Sequence, residues 1–299
     1  MWILHNNYYK NNNQISGSKP DYSKLKETGI IISIHGGAFV MGDMTHLKSF
    51  LSHICAYTNN GNIPVFAFNY RLAPECEWPC SIQDSMEMIY LYFHKTLQIP
   101  LNKIFLIGDS AGAHISLLLM QKIAFINRHE NDITKHRFAG AVLISPGLDW
   151  SLSAKSWNNN ANYDPILLKD NIALYRNYVF GIYETDSNGN RIIRKNDIKH
   201  DSETCTSIEK NLNFKDPKIS PLYGEFNNLS PTMITISQHE CIYDDSIKLY
   251  EKMTNAGVNV KLRIDYGSAI HELPLFAGVI NEANIALNDI TKFIENVMT

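Results

Sequence analysis

A serine hydroxyl is a weak nucleophile at neutral pH until a base within hydrogen-bond reach takes its proton and an acid orients that base. Ser110 lies in Gly108-Asp109-Ser110-Ala111-Gly112, between an apolar run beginning at Ile104 and a helix-like run ending near Gln121. The pattern G-x-S-x-G with a strand before it and a helix after it is that of a nucleophile elbow. A strand that turns sharply into a helix pushes its corner side chain outward, and Gly108 and Gly112 permit the close approach this needs. The Ala111 N–H at the helix start then points at negative charge developing on a substrate carbonyl oxygen. The chemistry implied is acyl transfer.

The base and acid must come from later in the chain. His271 falls in the loop between a strand at 258–264 and the last helix, where it could reach the elbow, and is the leading base. His114 and His129, on or after the elbow helix, are expected to pack or to face solvent. The acid is expected just past strand 232–237, where Glu240, Asp244 and Asp245 compete. Glu240 is nearest the strand end and is preferred. Asp244 is the alternative, because a carboxylate directly before helix 246–256 can instead cap its free N–H groups. Upstream, His35-Gly36-Gly37-Ala38 follows a β-branched strand, and glycines there can aim backbone N–H groups at the carbonyl oxygen. Gly36 and Gly37 are the donors expected to complete an oxyanion hole with Ala111.

The elements that must hold these groups alternate along the chain. Short buried-type strands are expected at Gly29–Ile34, Ile63–Phe68, Ile104–Gly108, Gly140–Ser145, 232–237 and 258–264. Helices are expected at 45–58, 81–97, after Ser110, at 246–256 and at 278–297. That order predicts an α/β protein with a mostly parallel sheet wrapped on both faces. Residues 6–28 are polar and broken by Gly17 and Pro20, and the first 28 residues read as a loose lead-in. Alternation stops at about 151 and resumes at Asp216-Pro217. The core is therefore expected at 29–150 and 216–299, with 151–215 as an insertion.

Bulk properties narrow the classes. The chain has 299 residues, is 44% hydrophobic and carries a net charge of −3 with both signs dispersed, which gives no footprint for nucleic acid or an anionic membrane. No stretch has the length of a membrane helix, and the opening residues contain no secretory apolar region, so a soluble cytoplasmic or otherwise intracellular protein is expected. Cys55, Cys76, Cys80, Cys205 and Cys241 are odd in number and scattered, which fits reduced thiols, and Cys76 and Cys80 lack a second pair for zinc. No metal or cofactor is expected. The sequon Asn228-Leu229-Ser230 is followed by Pro231 and has no export signal to support its use.

With these pieces placed, the chain resembles the hormone-sensitive-lipase-like family of α/β-hydrolases, which includes microbial carboxylesterases and arylacetamide deacetylase. The resemblance rests on His35-Gly36-Gly37-Ala38-Phe39, Tyr70-Arg71-Leu72-Ala73-Pro74-Glu75, Gly108-Asp109-Ser110-Ala111-Gly112, Ser145-Pro146 with Asp149, Asp164-Pro165, and Asp216-Pro217 through Ser220-Pro221-Leu222, in family order over about residues 29–290. It implies an α/β-hydrolase fold with a helical cap inserted at 151–215. It also implies Ser110 as nucleophile, Glu240 at the acid position, His271 as base, and Gly36, Gly37 and Ala111 as oxyanion donors. His35, Arg71 and Glu75 are implied in support, the last two bracing the oxyanion loop. The family acid is more often aspartate. Only 34 residues precede His35, so the early strands and the N-terminal part of the cap are expected to be shortened or absent. The implied activity is hydrolysis of a small-molecule carboxylic ester with a short to medium acyl group or an acetylated lipid such as a sterol ester. An amide deacylase and a non-catalytic small-molecule receptor on the same fold are the alternatives, and a homodimer is kept open.

Overall fold

The computed structural model describes all residues except 13–15, 17–18, 130–136, 183, 186–190, 193–203, 206–211, 269 and 299. Its centre is a seven-stranded sheet. The strands are β1 (Trp2–Ile3), β2 (Ile30–Ile34), β3 (Val65–Phe68), β4 (Ile104–Asp109) and β5 (Gly140–Ile144). Two short antiparallel pairs follow, β6 (Glu184–Thr185) with β7 (Arg191–Ile192) and β8 (Thr204–Cys205) with β9 (Leu212–Asn213). The sheet is completed by β10 (Thr232–Ser237) and β11 (Val260–Asp265). Its order is β1-β3-β2-β4-β5-β10-β11, with β1 antiparallel to β3 and every other pairing parallel. The parallel, α/β reading of the sequence is therefore met.

Buried parallel strands bury both faces, which is why these runs are continuously apolar rather than alternating. On one face Ile30, Ile32, Ile34, Leu106 and Leu143 pack with α5 (Ala111–His129) and α8 (Tyr243–Asn255). On the other, Ile31, Val65, Phe105, Ile107 and Val142 meet α3 (Lys48–Tyr57) and α9 (Asn281–Met298). The period of two in β-strands sends neighbouring residues to opposite layers. The helix expected at 81–97 is α4 (Cys80–Met86), which continues as a π-helical segment over Glu87–Thr96.

Three expectations are corrected. The opening segment is not all loose: besides β1 it holds α1 (Asn6–Asn11) and α2 (Tyr22–Thr28). The Asp21 carboxylate caps α2 by accepting from Ser23 N–H, and the buried Tyr8 and Leu25 anchor the two helices. These helices are too short for a periodic apolar pattern to show. Strand alternation is expected to stop across 151–215, yet the described residues there include two short antiparallel pairs, while 186–190, 193–203 and 206–211 lie outside the described residues. Cys76 and Cys80, read as reduced thiols, form a disulfide, with Cα atoms 5.9 Å apart where the chain turns into α4. That turn brings the two cysteines within bridging distance. Cys55 and Cys241 are buried free thiols.

The region after β5 adds α6 (Ser156–Asn159) and α7 (Lys169–Phe180) over the carboxyl edge of the sheet. A third apolar cluster, which includes Leu152, Trp157, Leu167 and Ala173, joins them to Ile236 and Ile242 of the core. Among the described residues no helix is long and apolar enough to cross a membrane.

Candidate active site

Ser110 stands between β4 and α5 with φ of 47°, the left-handed region that a non-glycine residue adopts only where its surroundings impose it. The surroundings are Gly108 and Gly112. A Cβ on Gly108 would fall 2.4 Å from the Gly112 carbonyl carbon, and one on Gly112 would fall 1.9 Å from the Ile34 carbonyl oxygen. Strand and helix cross with no room for a side chain at either position. Ser110 N–H donates to Ile144 O at 2.8 Å, which ties the corner to β5.

His271 and Glu240, 31 positions apart in the chain, meet in the interior. His271 Nδ1 lies 2.6 Å from Glu240 Oε2, and both side chains are buried. The other carboxylate oxygen, Oε1, accepts from Ser237 N–H at 2.7 Å and from Ser145 Oγ at 2.9 Å. Burial raises the Glu240 carboxyl above its ordinary value, against the pull of His271, Ser237 and Ser145. Burial alone would lower the His271 imidazolium, but the Glu272 and Glu240 carboxylates outweigh it and raise it to about 9. Asp244, the alternative acid, is placed elsewhere: its Oδ2 accepts from Ser156 N–H at 2.9 Å, at the start of α6. It holds the insertion against α8, and Glu240 is the carboxylate beside His271.

The loop after β2 departs from expectation at one atom. Gly36 N–H, expected to face the substrate, donates to Asp109 Oδ2 at 2.8 Å. The elbow's own aspartate thus occupies the first amide of the loop. Gly37, Ala38 and Phe39 follow with φ of 108°, 52° and 65°. Ala38, not Gly36, lines the cavity with Ser110 and Ala111. Nothing in its residue type marked it.

The supports also differ. Arg71 is exposed and pairs with Asp84, Nη2 to Oδ1 at 2.6 Å, and Glu75 is exposed. The loop after β2 is braced instead by Tyr70, whose hydroxyl donates to His35 O at 2.8 Å and whose ring stacks on His35 at 4.2 Å. Ala73 N–H adds a bond to Phe39 O at 2.9 Å. The bracing passes through the neighbours of Arg71 and Glu75 because the strand-end turn points those two charged side chains to solvent. His35 is buried, with Nδ1 2.8 Å from Gly36 O, and burial lowers its pKa. His114 packs in the core against Phe39, with burial lowering it to about 4, and the side chain of His129 lies outside the described residues.

Two groups were not foreseen. Ser145, with φ of 44° at the end of β5, accepts from Glu272 N–H at 3.0 Å while donating to Glu240, so it clamps the His271 loop to the acid. Glu272 itself, with φ of 59°, turns its carboxylate back so that Oε1 lies 3.6 Å from His271 Nε2. Burial and then the Asp109 carboxylate push the Glu272 carboxyl up to about 8. Glu272 follows His271 directly, but only the turn reveals its approach.

Ser110 opens on a half-open apolar cavity, whose walls include Phe39, Leu148, Trp150, Trp157 and Leu167. An apolar, half-enclosed pocket with a few polar groups is the usual form of a small-molecule site. Among the described residues no group of three or more His, Cys, Asp or Glu side chains is arranged to hold a metal ion.

Comparison with known proteins places this geometry in company. A family model described as alpha/beta hydrolase fold matches residues 31–199 and 184–274. An esterase of Acinetobacter venetianus is 25% identical over 273 residues, covering 91% of this chain and 76% of its own length. Esterase LipI of Mycobacterium tuberculosis is 25% identical, with 88% and 71% covered. Among solved structures, an esterase/lipase from an uncultured bacterium superposes with a TM-score of 0.71 at 22% identity, over 91% of this chain and 78% of that one. An esterase from the bacterial hormone-sensitive lipase family gives a TM-score of 0.71 at 22% identity, over 91% and 77%.

Proposed function

The chain belongs to the alpha/beta hydrolase fold family, and from that premise we propose that it is a serine carboxylic-ester hydrolase working through an acyl-enzyme. The observation that carries the proposal is the buried His271–Glu240 pair, 2.6 Å apart, on the sheet edge that also presents Ser110 in a strained corner. A buried carboxylate against Nδ1 fixes the tautomer that leaves Nε2 free to accept a proton. That the relatives are named esterases supports the same reading.

In this reading Ser110 Oγ attacks the ester carbonyl carbon while His271 Nε2 takes the hydroxyl proton. Glu240 stabilises the imidazolium. The oxyanion is held by the N–H groups of Gly37, Ala38 and Ala111, since that of Gly36 is engaged by Asp109. Collapse of the tetrahedral intermediate breaks the bond to the alcohol, which leaves with the proton from His271. Water, deprotonated by the same imidazole, then attacks the acyl-enzyme and releases the acid. The insertion at 151–215 acts as the cap, because Leu152, Trp157 and Leu167 wall the cavity. The apolar walls of the cavity suit an acyl chain, and short to medium acyl groups are the substrates this reading expects.

The test is hydrolysis of p-nitrophenyl esters of rising chain length by wild type and Ser110→Ala. The variant should lose at least about 10⁴-fold in kcat, the scale on which nucleophile loss acts in triad enzymes. Turnover unchanged by Ser110→Ala would end this mechanism.

A further inference from the structure

The cavity beside Ser110 is apolar over most of its wall but not all of it. Asp245, in the first turn of α8, lines it while only 1% exposed, and its Oδ1 has no hydrogen-bond partner among the described residues. Trp150 and Trp157 also line it, at 6% and 3% exposure, and the Nε1 of each is likewise unpartnered among the described residues. A buried polar atom left unpaired costs about 1–3 kcal/mol. Three residues lining one cavity each carry such an atom, which points to a ligand that would pair them.

The neighbouring carboxylates are engaged elsewhere. Asp149, also on the cavity wall, accepts from Ser151 N–H and Oγ, Ser153 Oγ and Tyr223 OH. Asp244 is taken by Ser156 N–H. Asp245 therefore stands apart as the cavity's uncommitted carboxyl, and the charged groups acting on it are Asp149, Lys248 and Asp244.

Resting on the ester-hydrolase reading above, we propose that Asp245, Trp150 and Trp157 form a polar specificity site for esters that carry a hydroxyl group close to the scissile bond. A hydroxyl oxygen accepts from an indole N–H while its hydrogen is donated to a carboxyl oxygen, so it satisfies both kinds of orphan; an alkyl chain satisfies neither. The charge state agrees with a neutral partner. Burial first, then the Asp149 carboxylate, raise the Asp245 carboxyl well above its ordinary range, against Lys248, and the shift favours its neutral form and a neutral partner. The hydroxyl can sit on the acyl or on the alcohol side of the ester.

Two arms separate those sources. On the acyl side kcat/KM is compared for p-nitrophenyl 3-hydroxybutyrate and p-nitrophenyl butyrate. On the alcohol side 2-hydroxyethyl butyrate is compared with propyl butyrate. In wild type at least one hydroxyl-to-alkyl ratio should exceed about tenfold, the effect of one well-made hydrogen bond lost by the analogue. The ratio should collapse towards one in Asp245→Leu and fall in Trp157→Phe, which removes the N–H together with the five-membered ring and keeps an aromatic wall. Both substrates meet the same folded fraction, so the ratio reports even from a variant that folds poorly.

Ratios at or below one in both arms, or a preference that survives both substitutions, would overturn the proposal. So would faster cleavage of p-nitrophenyl 3-aminobutyrate than of the hydroxy ester, since that would mark Asp245 as a charged partner for a cation. Absence of all turnover, or turnover that survives Ser110→Ala, removes the ester-hydrolase reading and this site with it. Cleavage of alkyl esters without hydroxyl preference removes this site alone.

Discussion

Glu272 adds a second carboxylate to the proposed Ser110, His271 and Glu240 arrangement. His271 is flanked by one carboxylate at Nδ1 and another 3.6 Å from Nε2, with the buried Asp164 contributing from farther away. Once Glu272 ionises, near pH 8, negative charge lies on both sides and stabilises the imidazolium, and a base works only when it is neutral. Because His271 is raised to about 9, kcat/KM should climb with pH through the neutral range and beyond it, as the imidazolium loses its proton. Glu272→Gln removes one of the charges that hold the proton, so the rising limb of its pH profile should move to lower pH. Measured kcat/KM profiles for the two proteins decide it. A limb that stays in place or moves to higher pH would show that Glu272 does not act on His271. Asp109 and His46 face the same carboxylate, with His46 Nε2 3.3 Å from Asp109 Oδ2, so the profile of His46→Gln is the control for indirect effects.

At the scale of elements the site depends on how tightly α5 crosses β2 and β4. Gly112 is the point of closest approach, since a Cβ there would lie 1.9 Å from Ile34 O and 2.8 Å from His35 O. Those atoms belong to the strand end that feeds the oxyanion loop and have no side-chain flexibility to yield. Gly112→Ala should therefore destabilise the fold by about 3 kcal/mol, at the upper end of ordinary overpacking. Urea unfolding would measure it, and a midpoint equal to wild type would show that strand and helix are not in contact as described. This is also where the sequence was most informative. A glycine on each side of Ser110, a β-branched strand before it and an apolar helix after it left one arrangement. The oxyanion loop was less legible: that Gly36 N–H would donate to Asp109 depends on a side chain 73 positions away. The disulfide was hidden for a similar reason, because two cysteines four apart acquire bridging geometry only from the turn they sit in.

For the whole molecule, the central fact is that one sheet edge collects residues from five separate parts of the chain. The loop after β2, the elbow after β4, Ser145 after β5, Glu240 after β10 and His271 after β11 all lie at carboxyl ends of parallel strands. In open α/β sheets ligands bind outside those ends. Alternation of elements predicted that convergence, and the resemblance to hormone-sensitive-lipase-like hydrolases drawn from the motifs is borne out by the family match and the relatives. What alternation could not supply is the wall contributed by the insertion, where Trp157 and Leu167 are positioned by hydrogen bonds such as Asp164 Oδ2 to Cys241 N–H at 2.8 Å, reaching across 77 residues. In the proposed mechanism Ser110 is a nucleophile activated by His271. The most direct measurement is intact-mass analysis of the purified protein after incubation with a fluorophosphonate ester, with the labelled peptide identified by fragmentation. One adduct per chain, on Ser110, formed by wild type and slowed at least about 10³-fold in His271→Ala, is the predicted result. A wild type that remains unlabelled while folded, or an adduct on another residue, would contradict it.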